Sequence, residues 1–511
     1  MQGRSDPNAE LLDAAGLVGH LVDESSVYAF LAAHRERLFP DELFADLFPS
    51  RRGRPSVPAP VAATVMVLQS LEGLSDRDAM ERLTCDIRWK VAAGLSLDHG
   101  GFHATTLTYW RNRLRASERP ERIFDAVRDV IVQTGTLARS TKRALDSTVL
   151  DDAVATQDTV TQLVGQIRRV RRQIPVAAAV EVAGHDYTQA GKPACDWRDQ
   201  DARDQLITAL IGDAHAILEA VQDVELDEGQ VEAVGLLALV AGQDVEPGDA
   251  PGSWRIARRT APDRVVSTVD PDSRHVHKNR SSYTDGFKAH VAVEPDTGLI
   301  VAAELTAGNA PDGPTGLALL EGEHGPVEVL ADSAYGSGDT RAALEQADHV
   351  QFIKPMPLRP ATDAPDAFTI DDFDIDLDAR TAACPGGHTV TIAAKGTATF
   401  GSRCSHCPLR DRCTRAKSGK KLKIHPRHDQ LVAARRDASD PSWQAIYRQH
   451  RPMVERTIAW LVARGHRRVR FRGIDANRLW LAHRAAAVNL KRLLALGLDH
   501  NGGRWTLPAP A

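Results

Sequence analysis

The sequence predicts an α/β protein: a mixed-sheet core with a helical N-terminal domain, a helical insertion and a small cysteine-containing subdomain. Three observations carry that expectation. Short β-branched or alternating segments cluster between 144 and 150 and again between 264 and 331. Residues 1–135 and 151–245 keep a helical period instead. Four of the six cysteines fall between 384 and 413, in a stretch with no sustained period.

Taken in order, residues 25–39 carry apolar side chains at helical spacing, and 48–55 form a basic turn. An apolar helix over 58–74 follows, and Ser75-Asp76-Arg77-Asp78 opens the next with a capping-box pattern. Thr105 or Thr106 should cap a short helix through Trp110, Arg111 and Arg113. Short helices with basic turns between them fit a helix-turn-helix-like DNA-binding domain, although most small helical domains have other uses.

Ala144-Leu145-Asp146-Ser147-Thr148-Val149-Leu150 reads as a strand, as do 264–269, 288–294, 299–305 and 327–331. Pro295-Asp296-Thr297-Gly298 joins two of these in a hairpin, and Gly336-Ser337-Gly338-Asp339 precedes a helix from Thr340. Residues 355–440 look irregular. Asp440 as N-cap and Pro441 at the first position start a further helix. Pro452 should break it and begin a second, ending at Gly465, and a last helix spans 476–496. The domains expected are 1–135, helical; 136–350, the first part of the core with an insertion at about 151–255; 351–440, cysteine-rich and basic; and 441–500, helices completing the core.

The chain has 511 residues, 42% hydrophobic and 26% charged, enough to bury a core without disulfides. No run approaches a membrane span, and residues 1–16 lack the basic start and apolar run of a signal peptide. A cytoplasmic protein with reduced thiols is expected. Net charge is −5, which argues against a uniformly basic nucleic-acid binder. The charges are segregated, however. Residues 222–249 hold eight acids and no Lys or Arg, 410–427 hold eight basic residues, and 451–474 hold seven arginines. Two basic segments suit a polyanionic partner, or they are simply solvated helix faces.

Asp332 ends a strand at a glycine-containing turn, and Asp146 lies inside a strand, where a carboxylate is costly unless paired or bound to a metal. Glu455 opens a helix in the arginine-rich region. Three such acids meeting at a sheet edge would hold two divalent cations, since Mg²⁺ and Mn²⁺ take hard oxygen ligands, and would support in-line phosphoryl transfer. Taken singly, each acid reads as a cap or a surface charge. Cys384, Cys404, Cys407 and Cys413 contain a C-x₂-C pair and fit one tetrahedral Zn²⁺, with His388 a substitute ligand; packed reduced thiols are the alternative.

Beyond these readings the sequence resembles a known family. Ala144-Leu145-Asp146-Ser147-Thr148 resembles the first acidic motif of bacterial insertion-sequence transposases of the DDE superfamily. Val329-Leu330-Ala331-Asp332-Ser333-Ala334-Tyr335-Gly336-Ser337 is similar to the second. Tyr447 with Arg451-Pro452-Met453-Val454-Glu455-Arg456-Thr457 is similar to the third. Gly286-Phe287-Lys288-Ala289-His290-Val291 and Gly308-Asn309-Ala310-Pro311-Asp312 match the family's sheet region, and residues 48–113 its helical N-terminal domain. Two positions depart: Tyr447 precedes Arg451 by four residues rather than three, and Val462 stands where a basic residue is usual seven after the Glu, with Arg464 or His466 as replacements.

The resemblance implies an RNase H-like fold, with Asp146, Asp332 and Glu455 catalytic and binding two Mg²⁺ or Mn²⁺ ions. It implies DNA cleavage and strand transfer at terminal inverted repeats by a homodimer, with no membrane partner. Arg51, Arg52, Arg54, Arg111, Lys420, Lys421, Lys423, Arg451, Arg464 and Arg468 are the expected DNA contacts. Asp151, Asp152 and Asp158 are rival acids, and Trp460 is either a core residue or a platform for a displaced base. A nuclease without joining, or a non-catalytic DNA binder derived from a transposase, are the alternatives.

Overall fold

A computed structural model describes residues 1–4, 12–50, 52–189, 191–277 and 283–508. The N-terminal region is helical: α1 (Val27–Leu38), α2 (Ala59–Glu72), α3 (Asp76–Cys85), α4 (Thr105–Arg115) and α5 (Arg122–Gln133). The capping box at Ser75 forms as the sequence predicts, Asp78 accepting from Ser75 N–H and Ser75 Oγ accepting from Asp78 N–H. Helix α4 starts at Thr105, but without a side-chain cap.

The core is one six-stranded sheet. β1 (Lys142–Asp151) pairs antiparallel with β3 (Tyr283–Glu294) and parallel with β5 (Glu328–Ala331), and β5 pairs parallel with β6 (Val350–Ile353). The far edge of β3 is shared by β4 (Leu299–Ala307), and then by β2 (Arg274–His277). The order β4–β3–β1–β5–β6, antiparallel on one side of β1 and parallel on the other, is that of an RNase H-like core. Gly286 is required where β3 passes β1: a Cβ there would sit 2.0 Å from the Leu150 carbonyl oxygen.

Between β1 and β2 lies the insertion, with α6 (Thr159–Gln173), α7 (Gln200–Ala220) and α8 (Glu228–Gln243) around their own apolar cluster of Leu163, Ile167, Leu210, Ile211 and Leu237. Residues 264–269 do not form the expected strand. Gln162 and Gln243 side chains donate to the Val265 carbonyl and Gln243 accepts from its N–H, so the backbone is satisfied without a ladder.

After β6, residues 355–440 are more ordered than their composition implies. Short strands at Asp374–Asp376, Thr381–Ala383 and Thr389–Thr391 form one sheet, and Thr397–Thr399 pairs with Lys421–Lys423. These strands pack around Phe373, Phe400 and Leu422, below the length at which periodicity is visible. The Gly336 turn leads into α9 (Gly338–Gln346), capped by Ser337, and α10 (His428–Ala438) comes just before the C-terminal helices.

Pro452 does not break its helix: α11 runs unbroken over Pro441–Val462. Val454, Ile458 and Leu461 bury one face of it in the main core, and that packing outweighs the lost backbone bond. The last helix, α12 (Ile474–Ala495), is buried along most of its length. One continuous apolar cluster joins α1, α2, α4 and α5 to the sheet, α11 and α12. Buried Arg484 ties the N-terminal helices to the C-terminal ones, donating to the carbonyls of Ser70 (2.7 Å), Trp460 (2.6 Å) and Leu461 (2.9 Å).

Candidate active site

Strand register brings two of the three acids together. β1 and β5 pair through Ala144 and Leu330, and two residues further along both chains stand Asp146 and Asp332. Neighbouring strands lie about 4.8 Å apart, so the two side chains leave the sheet as neighbours. Burial pushes the Asp146 carboxyl above its ordinary range, and the Asp332 charge adds to the rise against the pull of Arg451. Asp332 itself caps the turn after β5, accepting from Ala334 N–H at 2.9 Å.

Helix α11 supplies the rest. Arg451 Nη2 lies 2.9 Å from Asp146 Oδ2, while Arg451 Nη1 is 3.8 Å from Glu455 Oε1 one turn later. Asp146 Oδ1 accepts from Ser147 N–H at 2.8 Å, so both of its oxygens are engaged. Glu455 points to solvent, 67% exposed, whereas Arg451 is buried and its Nε and Nη1 have no hydrogen-bond partner. Burial opposes the Arg451 charge, but Asp146 more than compensates and raises its pKa. Tyr447 stacks on Trp443 (5.1 Å, 9°), and its hydroxyl is pushed up by burial, with Asp332 and Glu455 both close enough to contribute.

Behind the acids is a polar layer, most of whose residues fall in the family-like segments but to which the sequence reading gave no role. Ser147 and His290 face each other across β1 and β3, and the buried Tyr335 hydroxyl meets both, 3.4 Å from His290 Nδ1. His290 Nε2 is 3.0 Å from Thr306 Oγ1, and Lys288 Nζ is 2.8 Å from Asp312 Oδ1. Burial pushes His290 down to about 4, so its imidazole is neutral near pH 7. The available signal was a lone His and Lys alternating with Phe287, Ala289 and Val291 on a core strand. This hydrogen-bonded layer, with the Lys288–Asp312 ion pair at its side, ties Ser147 next to Asp146 and Tyr335 in the turn after Asp332 to the neighbouring strand.

The arginine-rich segment after α11 lies along the same strand. Arg467 donates to Thr148 Oγ1 (2.6 Å) and to the Val149 carbonyl (2.9 Å), and exposed Arg468 donates to the Asp152 carbonyl. Arg464 is exposed with φ +61°, at the turn after α11. Arg52 and Arg54 are exposed on the N-terminal turn, Lys421 and Lys423 on their short strand, and Lys420 is half-buried over Phe373. Arg111 is buried against Asp76, its Nη1 donating to Oδ1 at 3.0 Å, so that guanidinium is committed within the protein. Arg51 lies outside the described residues. Among the rival acids, Asp158 caps α6, Asp152 accepts from Ser273, and Asp151 accepts from Thr284. Trp460 is half-buried, with the Arg492 guanidinium 5.3 Å from its ring centre.

Cys384, Cys404, Cys407 and Cys413 line one small cavity together with His388, and all four are free thiols. Lys420 N–H donates to Cys404 Sγ at 3.3 Å, and Cys384 opens a tight turn closed by Gly387 N–H at 2.8 Å. Burial pushes the Cys413 thiol up, and the other three sulfurs are near enough to act in the same direction. Among the described residues no group of three or more His, Cys, Asp or Glu side chains is placed to hold a metal ion, here or at the acids.

A sheet of RNase H-like order, with Asp146 inside one central strand, Asp332 just past the end of its parallel neighbour and Glu455 on the helix packed over them, defines the class of RNase H-like proteins. Within that class, a family model described as a transposase DDE domain matches residues 383–494, and one described as a transposase domain (DUF772) matches residues 18–113. These matches support an insertion-sequence DDE transposase, and hence an enzyme acting on DNA. The first match includes Glu455 and the cysteines but neither Asp146 nor Asp332. No curated protein and no solved structure matches the chain. Among the described residues no helix is long and apolar enough to cross a membrane.

Proposed function

We propose that the protein cleaves DNA at the ends of its element and joins the freed ends to target DNA, with Asp146, Asp332 and Glu455 as its catalytic acids. The observation that carries this reading is the β1–β5 register, which sets Asp146 beside Asp332 under the helix of Glu455. Hard carboxylate oxygens are the donor set that Mg²⁺ or Mn²⁺ takes, and two such ions would neutralise charge on the attacking and leaving oxygens.

This chain's own residues do the positioning. Arg451, buried and with its Nε and Nη1 lacking a hydrogen-bond partner, would engage a phosphate once Asp146 turns to a cation. Arg464, Arg467 and Arg468 would hold the backbone along β1, while Arg52, Arg54, Lys421 and Lys423 offer exposed charge further out. In cleavage, water attacks phosphorus and a 3′-hydroxyl leaves; in joining, that hydroxyl attacks a target phosphodiester and its 3′ oxygen leaves. Two ends must be joined, which favours a homodimer on DNA. The four cysteines would hold one structural Zn²⁺ beside Lys420 and the basic Lys421–Lys423 strand, which supports DNA contact there.

The test is cleavage and joining of a labelled fragment carrying the element's end, with Mg²⁺ or Mn²⁺, comparing wild type with Asp332→Ala. Joined products that require both metal and Asp332 support a transposase. Cutting without joining would make it a nuclease, and binding without cutting would sink the catalytic reading.

A further inference from the structure

A second cavity, of about 470 Å³, opens at the seam between the N-terminal helices and the C-terminal pair, and none of the three acids lines it. That volume lies within the ~300–1,000 Å³ span of small-ligand sites. From the N-terminal side come Gln69, Ser75, Asp76, Arg77 and Arg111, and from the C-terminal side His466, Arg470, Phe471, Trp480 and His483.

Two features of its floor point to an occupant. His466 and His483 are 2% and 3% exposed, and the Nε2 atom of each is buried without a hydrogen-bond partner. His466 Nδ1 lies 2.8 Å from the Ala463 carbonyl and must donate to it, which leaves Nε2 a bare acceptor. Burial lowers both imidazoles, His466 to about 4 and His483 to about 3, so neither is a cation at neutral pH. At His466 the floor therefore calls for a neutral group bearing an N–H donor rather than for an anion, and His483 offers a second neutral imidazole nitrogen beside it.

The walls are flat and aromatic. Trp480 stacks on His466 (5.5 Å, 17°), and Phe471 carries the Arg111 guanidinium 4.9 Å from its ring centre. Asp76 is held below the ordinary carboxylate range by Arg111, against the opposing effect of burial, so that pair is a fixed part of the wall. At the mouth, Arg77 is an exposed cation, and Arg470 is a second one whose Nη2 also donates to the Gly73 carbonyl. Amine-bearing heteroaromatic inside, phosphate outside: this is the pattern of a nucleotide.

We propose that this cavity binds a nucleotide, its base against the two imidazoles and its phosphate at Arg77 and Arg470. The occupant is either an unpaired nucleotide of bound DNA, which rests on the DNA reading above, or a free mononucleotide, which does not. The cavity is lined by both halves of the chain, so filling it would brace the seam between them.

The experiment uses the full chain with two probes. One is the set of four deoxynucleoside 5′-monophosphates, titrated by calorimetry. The other is a duplex with a three-nucleotide 3′ overhang carrying 2-aminopurine, whose fluorescence reports unstacking, with retention of the duplex measured in parallel. The variants are His466→Phe, which removes the acceptor and fills the space, and the exposed Arg77→Ala, which leaves the fold alone.

Expected is binding of a monophosphate, or a 2-aminopurine change on duplex binding, reduced about tenfold or more in both variants, the size of one such contact. Duplex retention itself should remain. Retention with neither signal overturns this inference and leaves the DNA reading standing. Monophosphate binding without retention supports the cavity and counts against the DNA reading. Signals unchanged by both variants place the ligand elsewhere and overturn the proposal.

Discussion

Arg451 Nη2 sits 2.9 Å from Asp146 Oδ2, so without a cation the acid at the centre of the sheet is neutralised by a guanidinium from the helix that also carries Glu455. The same arginine is 3.8 Å from Glu455, which gives one side chain contact with acids from two elements. A metal ion taking Asp146 would have to displace Arg451, and that would free its N–H groups for a phosphate.

This pair has a stability signature. Both side chains are largely buried, at 7% and 13% exposure, so Arg451→Ala strands a carboxylate and should cost ~3–5 kcal/mol. Adding Asp146→Asn should recover much of that loss. Urea denaturation of the two single variants and the double variant measures the coupling; additive effects would count against it.

At the acids, Asp146→Ala, Asp332→Ala and Glu455→Ala should each lower DNA cleavage on the order of 10³-fold, while DNA retention stays within a few-fold. Glu455 is exposed, so Glu455→Ala should leave the melting temperature nearly unchanged and separates catalysis from folding. Undiminished cleavage by that variant would remove Glu455 from the site.

The buried histidines should make stability fall as pH drops below about 6.5. His290 and His466 are held at about 4 and His483 at about 3, against roughly 6.5 in an unfolded chain. Between those values the unfolded chain binds protons that the folded one does not, so stability is complete above about pH 6.5 and is lost as pH drops toward 4. The slope is up to ~1.4 kcal/mol per pH unit for each histidine. Denaturation midpoints at pH 7.5 and 5.0 test this, and His290→Gln should flatten the difference.

Gly286→Ala should destabilise by ~1–3 kcal/mol, because its Cβ meets the Leu150 carbonyl at 2.0 Å and β1 must shift. Thermal melting gives the number. A neutral result would mean that the two strands separate easily at that point.

Purified under reducing conditions, the full chain should contain one zinc per molecule by elemental analysis. Cys404→Ser and Cys407→Ser should lower that content, whereas Cys85→Ser and Cys195→Ser should not. Zinc-free protein that melts like the wild type would leave the four thiols as packing.

Much of the architecture was legible in the sequence because local chemistry sets it. The Ser75 capping box, the hairpin at 295–298, the Asp440–Pro441 helix start, the strand around Asp146 and the strand that ends at Asp332 all depend on neighbours within a few residues. Where long-range contacts decide, the sequence misleads. Val265 and Val266 look like strand residues, but glutamines far along the chain take their backbone partners. Pro452 reads as a stop, yet burial of its helix face on the sheet carries α11 through it.

The sequence by itself determined which side chains could do chemistry: three acids, an arginine before the last of them, four clustered cysteines and two basic runs. Only the tertiary structure decided which of them meet. The parallel register of β1 and β5 set Asp146 beside Asp332, packing of α11 turned Arg451 inward and Glu455 outward, and Asp76 drew Arg111 away from the surface. The physical reason is that a carboxylate's or guanidinium's role depends on what replaces its lost water, and those partners come from residues tens to hundreds of positions away, 35 for Arg111 and Asp76.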